Sequence, residues 1–580
     1  MFNKQLILYT IFLFFFINNN HAQVHEKTNF NPPLKIPLYL SGTYAELRTN
    51  HFHSGIDIKT QGRTGVPVYA IEDGYIYRVK IRKTGYGKTL YINHSNGYTS
   101  VYGHLNSFSP KIEAYIKKIQ YEQRSYEINE FPGKEDFKLT KGDIIAYSGN
   151  SGYSFGPHLH FEIRETKSEI PVNPLEFIDI YDTVSPKFYS LFVYPYSNKN
   201  YAEVQNEYIK YQVFKTDNSY KLLNDTIFIS QDFQIGIEVY DFLNNSRNKC
   251  GINSVELIVD DEQLFYAELN NISFNETRYL NSYIDYASKI ENNYKIHKLY
   301  KDPNNKLSVY KNIINNGIIR LKTDKVSEIE IIVKDIKNNS SFLNFFVSKS
   351  GELKEKNLNN TECLKLIDCF IDEHIIKNDI KIYFPENTFY DTVCFNYAKM
   401  EVKNKDYNSP VYYIHKNNVP VHKKYKLSIS PLNIPENLKK KAVICRLEDD
   451  EEEDDKYDEF ESTYQDSFIV AYPNSLGKFV LIVDTIEPEI IPHNFINHSY
   501  NDFSKKDRIE FKILDEISGI MSYNGFIDDK WVLFEYDKKD DLLFYIFDNE
   551  RLEYNKEHNL KIIISDNKNN IKIFESSLYK

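Results

Sequence analysis

Apolar and polar residues alternate along many short stretches of this chain, a pattern that predicts β-strands. Three such stretches are Phe233–Tyr240 (FQIGIEVY), Ile509–Leu514 (IEFKIL) and His158–Ile163 (HLHFEI). Because successive side chains of a strand point to opposite faces, each stretch has one apolar face for a core and one polar face. The sequence therefore predicts a chain dominated by strands.

One segment follows a helical pattern instead. Ser109 precedes a proline that would occupy the first helical position. The apolar residues that follow recur at helical spacing: Ile112, Tyr115, Ile116 and Ile119. We predict a short amphipathic helix over Pro110–Tyr121, inside an insertion that ends near Phe137. The insertion could form one wall of a groove or cover a sheet edge.

Two phrases in the sequence echo each other and suggest duplicated units. Asp182–Pro186 (DTVSP) resembles Asp484–Pro488 (DTIEP). After each phrase, two predicted strands are each followed closely by an aspartate. These aspartates are Asp241 and Asp335 after the first phrase, and Asp515 and Asp566 after the second. The echoes predict two related immunoglobulin-like β-sandwiches, at residues 183–350 and 485–580.

The stretch between them, residues 351–484, also contains short strand patterns and predicts a further β-sandwich. It includes a dense acidic run, Glu448–Glu461 (EDDEEEDDKYDEFE). Blocks of like charge are usually solvated loops. Calcium binding is the alternative, although the run lacks the glycine that an EF-hand loop requires at its turn.

The first residues have the features of a secretory signal. Lys4 supplies a basic start, Leu6–Ile17 (LILYTIFLFFFI) an apolar stretch, and Ala22 a small residue before a cleavage point. We predict a signal peptide at residues 1–22, the alternative being an uncleaved membrane anchor. No other stretch could span a bilayer, so we expect an exported protein without a membrane span after cleavage.

Composition narrows the class of protein further. The chain has 580 residues, too many for one core, and its 47 Tyr and 39 Phe favour strands. The net charge of −11, with no basic stripe, argues against nucleic acid as a partner. The five cysteines all lie at or after Cys250, so chemistry before that residue uses no thiolate. An odd number leaves at least one free thiol, and the pairing cannot be read from the spacing.

Candidate chemistry lies in two short segments about a hundred residues apart. His53–Asp57 (HSGID) and His158–His160 (HLH) together offer enough side chains for a metal site that keeps a position open for water. Residues two apart on a strand share a face, about 6–7 Å apart, so one histidine of His158 and His160 can bind a metal while the other overlooks it. In a straight strand His53 and Asp57 would lie about 13 Å apart, so the backbone must bend between them, and Gly55 is where it can.

Further motifs accompany these two segments in a recognisable order. They are Gly62–Asp73 (GRTGVPVYAIED), Tyr86-Gly87, Tyr102–Leu105 (YGHL), Gly149–Gly152 (GNSG) and Gly156–Glu162 (GPHLHFE). From about Pro37 to Phe177 the chain resembles the lysostaphin/LytM-type metallopeptidases of family M23. These enzymes cut peptide bonds in the peptidoglycan of bacterial cell walls.

The resemblance implies a site and a setting. It implies a Zn²⁺ ion bound by His53, Asp57 and His160, with His104 and His158 as the two catalytic histidines. It also implies a mainly antiparallel β-sheet peptidase domain that acts on peptidoglycan in the periplasm or cell envelope. The predicted signal peptide and the Asp182–Pro186 phrase set the limits of this domain at residues 24–182. The β-sandwiches after it offer surfaces for envelope protein partners. The alternatives are a non-catalytic peptidoglycan-binding activator and an envelope scaffold.

Three other residues near the motifs admit two interpretations each. His51 has the wrong spacing to Asp57, and we expect no direct role for it. For His94 we favour a structural or rim role over ligation. Glu162 shares a strand face with His158 and His160, so it is either a carboxylate that orients a metal ligand or an ordinary strand residue.

Overall fold

A computed structural model describes residues 30–196, 208–217, 219–321, 325–349, 363–401, 404–431, 434–448, 457–495 and 501–580. The predicted signal peptide and most of the acidic run lie outside the described residues. The prediction of an all-β, mainly antiparallel chain is confirmed: nearly all strand pairs are antiparallel, and the exceptions join one long strand to two short ones. No described helix is long and apolar enough to cross a membrane.

The first group of strands, here called the N-terminal unit, forms one sheet. Its strands are β1 Leu40–Gly42, β2 Ile56–Lys59, β3 Pro67–Tyr69, β4 Gly74–Ile81, β5 Lys88–His94, β6 Tyr98–Phe108, β7 Ile128–Glu130, β8 Lys138–Leu139, β9 Ile144–Ser148, β10 His158–Glu165 and β11 Pro171–Val172. Their main order is β1-β2-β10-β6-β5-β4-β7, and β9 pairs with both β3 and β6. A 3-10 turn, Pro174–Glu176, follows.

The predicted helix is present as α1, Pro110–Gln123, between β6 and β7. Ser109 precedes it, and Ile112 and Ile116 are buried, as the spacing predicted. β7 pairs with the edge strand β4, so the insertion covers an edge of the sheet.

The second unit contains β12 Lys187–Pro195, β13 Ile209–Lys215, β14 Tyr220–Leu222, β15 Thr226–Ile229, β16 Phe233–Tyr240, β17 Ser254–Val259, β18 Glu262–Glu268, β19 Ile296–Lys298, β20 Tyr310–Ile313, β21 Val326–Lys334 and β22 Ser340–Lys349. It also contains α2 Leu280–Tyr283, α3 Tyr286–Asn292 and the 3-10 turns Thr277–Tyr279 and Asn315–Gly317. Its strands surround a core that also includes Tyr44, Ala45, Leu47 and Phe52 of the N-terminal unit and Tyr390 of the third unit.

The third unit contains β23 Lys365–Ile367, β24 Glu373–Ile376, β25 Ile380–Phe384, β26 Val393–Phe395, β27 Tyr397–Met400, β28 Val411–Ile414, β29 Lys426–Ile429, β30 Ala442–Leu447, β31 Tyr457–Phe460, β32 Thr463–Gln465, β33 Phe468–Ala471 and β34 Gly477–Val483, with a 3-10 turn at Glu436–Lys441. Ten of these strands form a pair of five-stranded sheets around one core. Cys363 and Cys394 form a disulfide; the other cysteines, Cys250, Cys369 and Cys445, are buried thiols.

The fourth unit contains β35 Glu489–Pro492, β36 Arg508–Leu514, β37 Ile520–Ile527, β38 Lys530–Val532, β39 Glu535–Asp537, β40 Leu542–Ile546, β41 Glu557–Asp566 and β42 Ile571–Tyr579. They form two four-stranded sheets around one core. The unit packs back against the N-terminal unit, where the Lys117 ammonium lies 2.6 Å from the Asp548 carboxylate and Lys88 lies 2.9 Å from Glu535.

Candidate active site

Strand β10 separates core residues from site residues by simple alternation. Leu159, Phe161 and Ile163 point into the core of the N-terminal unit. His158, His160 and Glu162 take the intervening positions, so their side chains share the opposite face.

The first segment reaches the same face through its pairing with β10. Asp57 lies in β2 directly opposite His160. The chain bends at Gly55 just before β2 begins, as predicted, so His53 is carried back towards the site. A side chain at position 55 would have no room, because its Cβ would lie 2.3 Å from the Phe161 carbonyl oxygen.

Three donor atoms of the predicted ligands meet at one point. His53 Nε2 lies 3.1 Å from His160 Nδ1 and 3.1 Å from Asp57 Oδ1, and His160 Nδ1 lies 3.0 Å from the same oxygen. All three side chains are buried. The sequence prediction therefore named three residues that the fold brings together.

The chemistry of these atoms fits a metal cation. His53 Nδ1 lies 2.7 Å from the Thr43 carbonyl oxygen, so this nitrogen carries the proton and Nε2 presents a lone pair. His160 Nε2 lies 2.8 Å from Glu162 Oε1, so it donates there and Nδ1 faces the centre. Two imidazole lone pairs and a carboxylate oxygen facing each other form a donor set suited to zinc and similar ions.

Electrostatics at His160 agree with this interpretation. Burial alone lowers the pKa of His160, but hydrogen bonds with Asp57 and Glu162 outweigh it and raise the pKa to about 9. The site thus attracts positive charge, which a proton supplies when no metal is bound. Metal binding displaces such a proton.

The two predicted catalytic histidines lie beside this centre. Their rings are 4.8 Å apart between centroids, and His158 Nε2 lies 3.5 Å from Asp57 Oδ1. His104 Nδ1 lies 2.8 Å from the Ser151 carbonyl oxygen, and His158 Nδ1 lies 2.8 Å from the Gly156 carbonyl oxygen. Each Nδ1 therefore donates, which leaves each Nε2 free to accept a proton.

The backbone at His104 explains how this side chain reaches the site. β6 pairs with β10 up to Gly103 and then pairs with β9 from Leu105 onwards. His104 lies at the change of partner, with a left-handed φ of 56°. Burial, followed by the nearby His160 and His158, lowers the pKa of His104 to about 3, so the imidazole is neutral at pH 7.

A buried polar network supports His160 from behind. Glu162 accepts hydrogen bonds from Ser54 Oγ at 2.6 Å and from Arg164 Nε at 2.6 Å, and Tyr86 stacks on the His160 ring at 4.6 Å. Of the two interpretations of Glu162, the geometry favours the carboxylate that orients a ligand.

Arg48 is a site residue that the sequence did not reveal. Its Nη2 donates to Asp57 Oδ2 at 2.8 Å and to Glu46 Oε2 at 2.9 Å. The guanidinium thereby turns the other oxygen of Asp57 towards the histidines. Arg48 lies in a loop without any periodic pattern, so no local signal pointed to it.

The other two histidines near the motifs lie apart from the three converging atoms. His51 is exposed and its Nδ1 bonds to the Thr49 carbonyl oxygen. His94 is buried, with Nδ1 bonded to the Asp73 carbonyl oxygen and Nε2 to the Ser100 hydroxyl. His94 thus has the structural role that we favoured.

A groove beside His158 is lined by two units. It has a volume of about 290 Å³ and its walls are Asn150, Tyr153, Ser154 and Phe155 on one side and Lys539 and Asp540 on the other. Lys539 Nζ donates to the Asn150 carbonyl oxygen at 2.8 Å, and Ser154 Oγ lies 3.2 Å from His158 Nδ1. The fourth unit therefore helps to shape the surroundings of the site.

Comparison with known families assigns two parts of the chain. Residues 51–174, which include the whole site, match the family described as Peptidase family M23. Residues 367–484, in the third unit, match the family described as Zu5-like domain.

Two named relatives match part of the chain. The DD-carboxypeptidase/endopeptidase Mpg of Neisseria meningitidis serogroup B is 34% identical over 129 residues, which are 22% of this chain and 23% of the relative. Lysostaphin of Staphylococcus simulans is 26% identical over 129 residues, which are 22% of this chain and 21% of the relative. The chain thus spans less than a quarter of the length of these relatives.

A search of solved structures also matches part of the chain. One match is the catalytic domain of the prophage-encoded M23 protein EnpA from Enterococcus faecalis, which is 25% identical. This match covers 25% of this chain and 95% of that one, at a TM-score of 0.19. The catalytic domain of lysostaphin from Staphylococcus simulans is 24% identical and covers 24% of this chain and 88% of that one, at a TM-score of 0.18.

The N-terminal unit therefore contains a domain that matches peptidase family M23 over residues 51–174.

Proposed function

We propose that this protein is an exported zinc metalloendopeptidase that hydrolyses peptide bonds in peptidoglycan during cell-wall remodelling. The observation that carries the proposal is the convergence of two imidazole lone pairs and a carboxylate oxygen within about 3 Å of one another. The named relatives, among them a DD-carboxypeptidase/endopeptidase and lysostaphin, support peptidoglycan as the substrate. The periplasm or cell envelope is the matching location.

His53, Asp57 and His160 would hold the zinc ion. When bound, zinc polarises a carbonyl oxygen and lowers the pKa of a bound water. His104 and His158 each present an Nε2 acceptor beside the centre because their Nδ1 atoms are bonded to carbonyl oxygens. These two histidines take up a proton from the attacking water, stabilise the developing oxyanion and return a proton to the leaving amine.

We further propose that the peptidase domain occupies residues 24–182. β-Sandwiches would follow at 183–350, 351–484 and 485–580, and their surfaces would serve envelope protein partners. The change of sheet between the four units supports these limits.

A metal analysis combined with a digest tests the proposal. Purified protein without the predicted signal should carry about one zinc per chain and release peptides of defined mass from purified sacculi. Asp57→Ala and His160→Ala should lose most of the zinc, because two remaining ligands hold the ion weakly. His104→Ala and His158→Ala should keep it and lose on the order of 10²-fold in turnover.

His51→Ala is the matched control, because His51 adjoins the motif yet points to the Thr49 carbonyl oxygen. It should keep both zinc and activity. Unchanged zinc in the Asp57 and His160 variants would contradict the ligand assignment. Zinc-loaded protein that binds sacculi without releasing product would favour the non-catalytic, peptidoglycan-binding alternative.

A further inference from the structure

A second set of acidic side chains converges far from the peptidase site. One carboxylate oxygen from each of Asp182, Asp241 and Asp335 lies within 4.8 Å of the other two. Asp182 precedes the second unit, Asp241 follows β16 and Asp335 follows β21. We call these three residues the first aspartate cluster.

One carboxylate oxygen of this cluster, Asp241 Oδ1, is buried without a hydrogen-bond partner in the described part of the chain. Asp241 is 4% exposed, and no donor among the described residues reaches its Oδ1. Asp335, by contrast, accepts hydrogen bonds from the backbone N–H and the side-chain amide of Asn339 at 2.8 and 2.7 Å. A buried carboxylate oxygen without a donor is costly, and it marks a place for a ligand.

The charges around Asp241 are all of one sign. Burial, and then the neighbouring Asp335 and Asp182, raise the pKa of Asp241 to about 8. None of the ion pairs between described residues joins a lysine, arginine or histidine to any member of the cluster. The cluster therefore needs positive charge from outside the chain.

A similar cluster lies in the fourth unit, where Asp484 Oδ2 is likewise buried without a hydrogen-bond partner among the described residues. Asp484, Asp515 and Asp566 converge in the same way, at the same positions relative to the strands. Asn570 donates to Asp566 at 2.6 Å, as Asn339 does to Asp335. Here, however, the buried Lys568 lies close enough to Asp484 and Asp566 for their charges to raise its pKa against the larger effect of burial.

A difference in loop length separates the two clusters. Asp515 Oδ1 accepts hydrogen bonds from the N–H groups of Ser518 and Gly519 in the short loop after β36. The corresponding loop after β16 is longer and ends at Gly251, whose N–H donates instead to Thr43 Oγ1 of the N-terminal unit. Backbone N–H groups of the following loop thus donate to Asp515, whereas the N–H group of Gly251 donates to Thr43 and not to Asp241.

We propose that the first aspartate cluster binds a calcium ion. Ca²⁺ takes carboxylate and carbonyl oxygens at about 2.3–2.6 Å, so oxygens on opposite sides of the ion are up to about 5 Å apart. Oxygen donors on loops of flexible geometry suit Ca²⁺ better than Mg²⁺, which demands an octahedron. The bound ion supplies the positive charge that no ion pair between described residues supplies to this cluster.

The position of the cluster gives the ion a structural consequence. Cys250-Gly251 pairs with Asp241 through backbone hydrogen bonds and, through Gly251, with Thr43. The Thr43 carbonyl oxygen accepts the Nδ1 proton of the predicted metal ligand His53. Calcium therefore fixes the seam between the peptidase domain and the second unit.

Calcium titration of zinc-loaded, full-length protein tests this proposal. We expect calorimetry with CaCl₂ to show binding with a Kd of about 10⁻⁵ to 10⁻³ M, the range of weak sensors and extracellular modules, and unfolding at a higher temperature when Ca²⁺ is present. Asp241→Asn should weaken this binding at least 10-fold and abolish the thermal shift, while zinc content stays at the wild-type value. The variant should fold, because asparagine keeps the shape of the side chain and removes the repulsion.

Asp515→Asn is the matched control, since it makes the same change at the equivalent position. It should leave the Asp241-dependent binding intact. Absence of Ca²⁺ binding by wild-type protein at millimolar concentration would overturn the proposal, as would wild-type affinity in Asp241→Asn. Loss of binding in Asp515→Asn alone would place the ion in the fourth unit and overturn it too. Displacement of Ca²⁺ by equimolar Zn²⁺ at this site would indicate a soft-metal site instead.

Discussion

Gly152 and Gly62 share a left-handed backbone, with φ of 72° in both, and differ in their surroundings. A Cβ atom at Gly152 would lie 2.4 Å from the Gly87 nitrogen and 2.5 Å from the Gly85 carbonyl oxygen, whereas nothing lies within 4 Å of one at Gly62. Gly152 follows Ser151, whose carbonyl oxygen holds the His104 ring. The glycine therefore lets two loops approach closely where His104 is oriented.

Alanine at the two positions should have unequal effects. Gly62→Ala should lower the free energy of unfolding by only the cost of a left-handed backbone, about 1–2 kcal/mol. Gly152→Ala has the same backbone cost and adds a clash with backbone atoms, so we expect a larger loss of unfolding free energy. We also expect hydrolysis to fall at least 10-fold while zinc is retained. Denaturant unfolding, metal analysis and a muropeptide assay on both variants measure stability, zinc content and hydrolysis. Equal losses of stability and hydrolysis in the two variants would show that the loop contact at Gly152 is unimportant.

The candidate site was predictable from sequence to the extent that its residues lie in regular patterns. His158 and His160 share one face of an alternating strand, and Asp57 was named because it ends the short His53–Asp57 segment. Arg48 did not stand out, because its contact with Asp57 depends on how a loop closes. The left-handed turn at His104 was equally invisible, since β6 keeps its strand pattern through it.

At the scale of the element, helix α1 is an attachment surface for the fourth unit. Tyr121 meets Trp531 edge to face with ring centroids 5.4 Å apart, and Arg551 lies 4.3 Å from the centroid of the Tyr121 ring. Trp531 is the single tryptophan of the chain, so its fluorescence reports on this contact.

Tyr121→Ala should therefore shift the Trp531 emission to longer wavelength and cost about 1 kcal/mol of stability, the usual size of an aromatic pair. Tyr115→Ala is the control, because Tyr115 lies on the same helix but packs on Phe137 within the N-terminal unit. It should leave the emission unchanged. A shift in both variants, or in neither, would contradict docking through Tyr121.

A second contact between units contains an imidazole that is held neutral. His422 stacks on Tyr279 at 4.1 Å, and its Nδ1 lies 3.1 Å from the Tyr390 hydroxyl. Burial first, and then three basic groups, lower the pKa of His422 to about 4. The basic groups are Arg278, Lys423 and Lys306.

Because this pKa is lower in the folded state than the unfolded value of about 6.5, the unfolded chain binds the extra proton. The stability contributed by neutral His422 is present above pH 6.5 and is lost as the pH falls towards 4. Urea unfolding at several pH values should show this loss in wild-type protein and a shallower one in His422→Gln. The exposed His374→Gln should match wild type; a wild-type slope in His422→Gln would rule out this histidine as the cause.

Element positions followed closely from the periodicity. The helix was predicted at Pro110–Tyr121 and runs to Gln123, and β16 has the predicted bounds Phe233–Tyr240. Strand β36 begins one residue before the predicted Ile509. These agreements reflect local patterning, since apolar spacing alone decides which face of an element is buried.

At the scale of the whole molecule, the four units close into a ring. The second contacts the third through Arg278, which donates to the Val421 carbonyl oxygen, and the third contacts the fourth through Lys568, which donates to the Ser462 carbonyl oxygen. The fourth returns to the first through Lys539 and Asn150. The ring could not be predicted from the sequence, because no local pattern records which distant surfaces meet.

A chain that ends at residue 484 should open this ring. We expect it to fold and bind zinc, because every predicted ligand remains, but to cleave soluble muropeptides about 10-fold more slowly, since the Asn150 loop loses its hydrogen bond from Lys539. Zinc content and steady-state kinetics measure the two effects. Lys539→Met in the full chain should reproduce part of the kinetic loss. Unchanged kinetics in both proteins would show that the groove works without the fourth unit.

The hydrogen bond between Lys539 and Asn150 can form only late in the synthesis of the chain. The two residues are 389 positions apart in the sequence. At synthesis rates of about 5–20 residues per second, the ribosome reaches Lys539 roughly 20–80 s after Asn150. A growing chain therefore possesses all three predicted metal ligands well before the lysine that donates to the neighbouring loop. The groove lined by both units can form only after the fourth unit has been made.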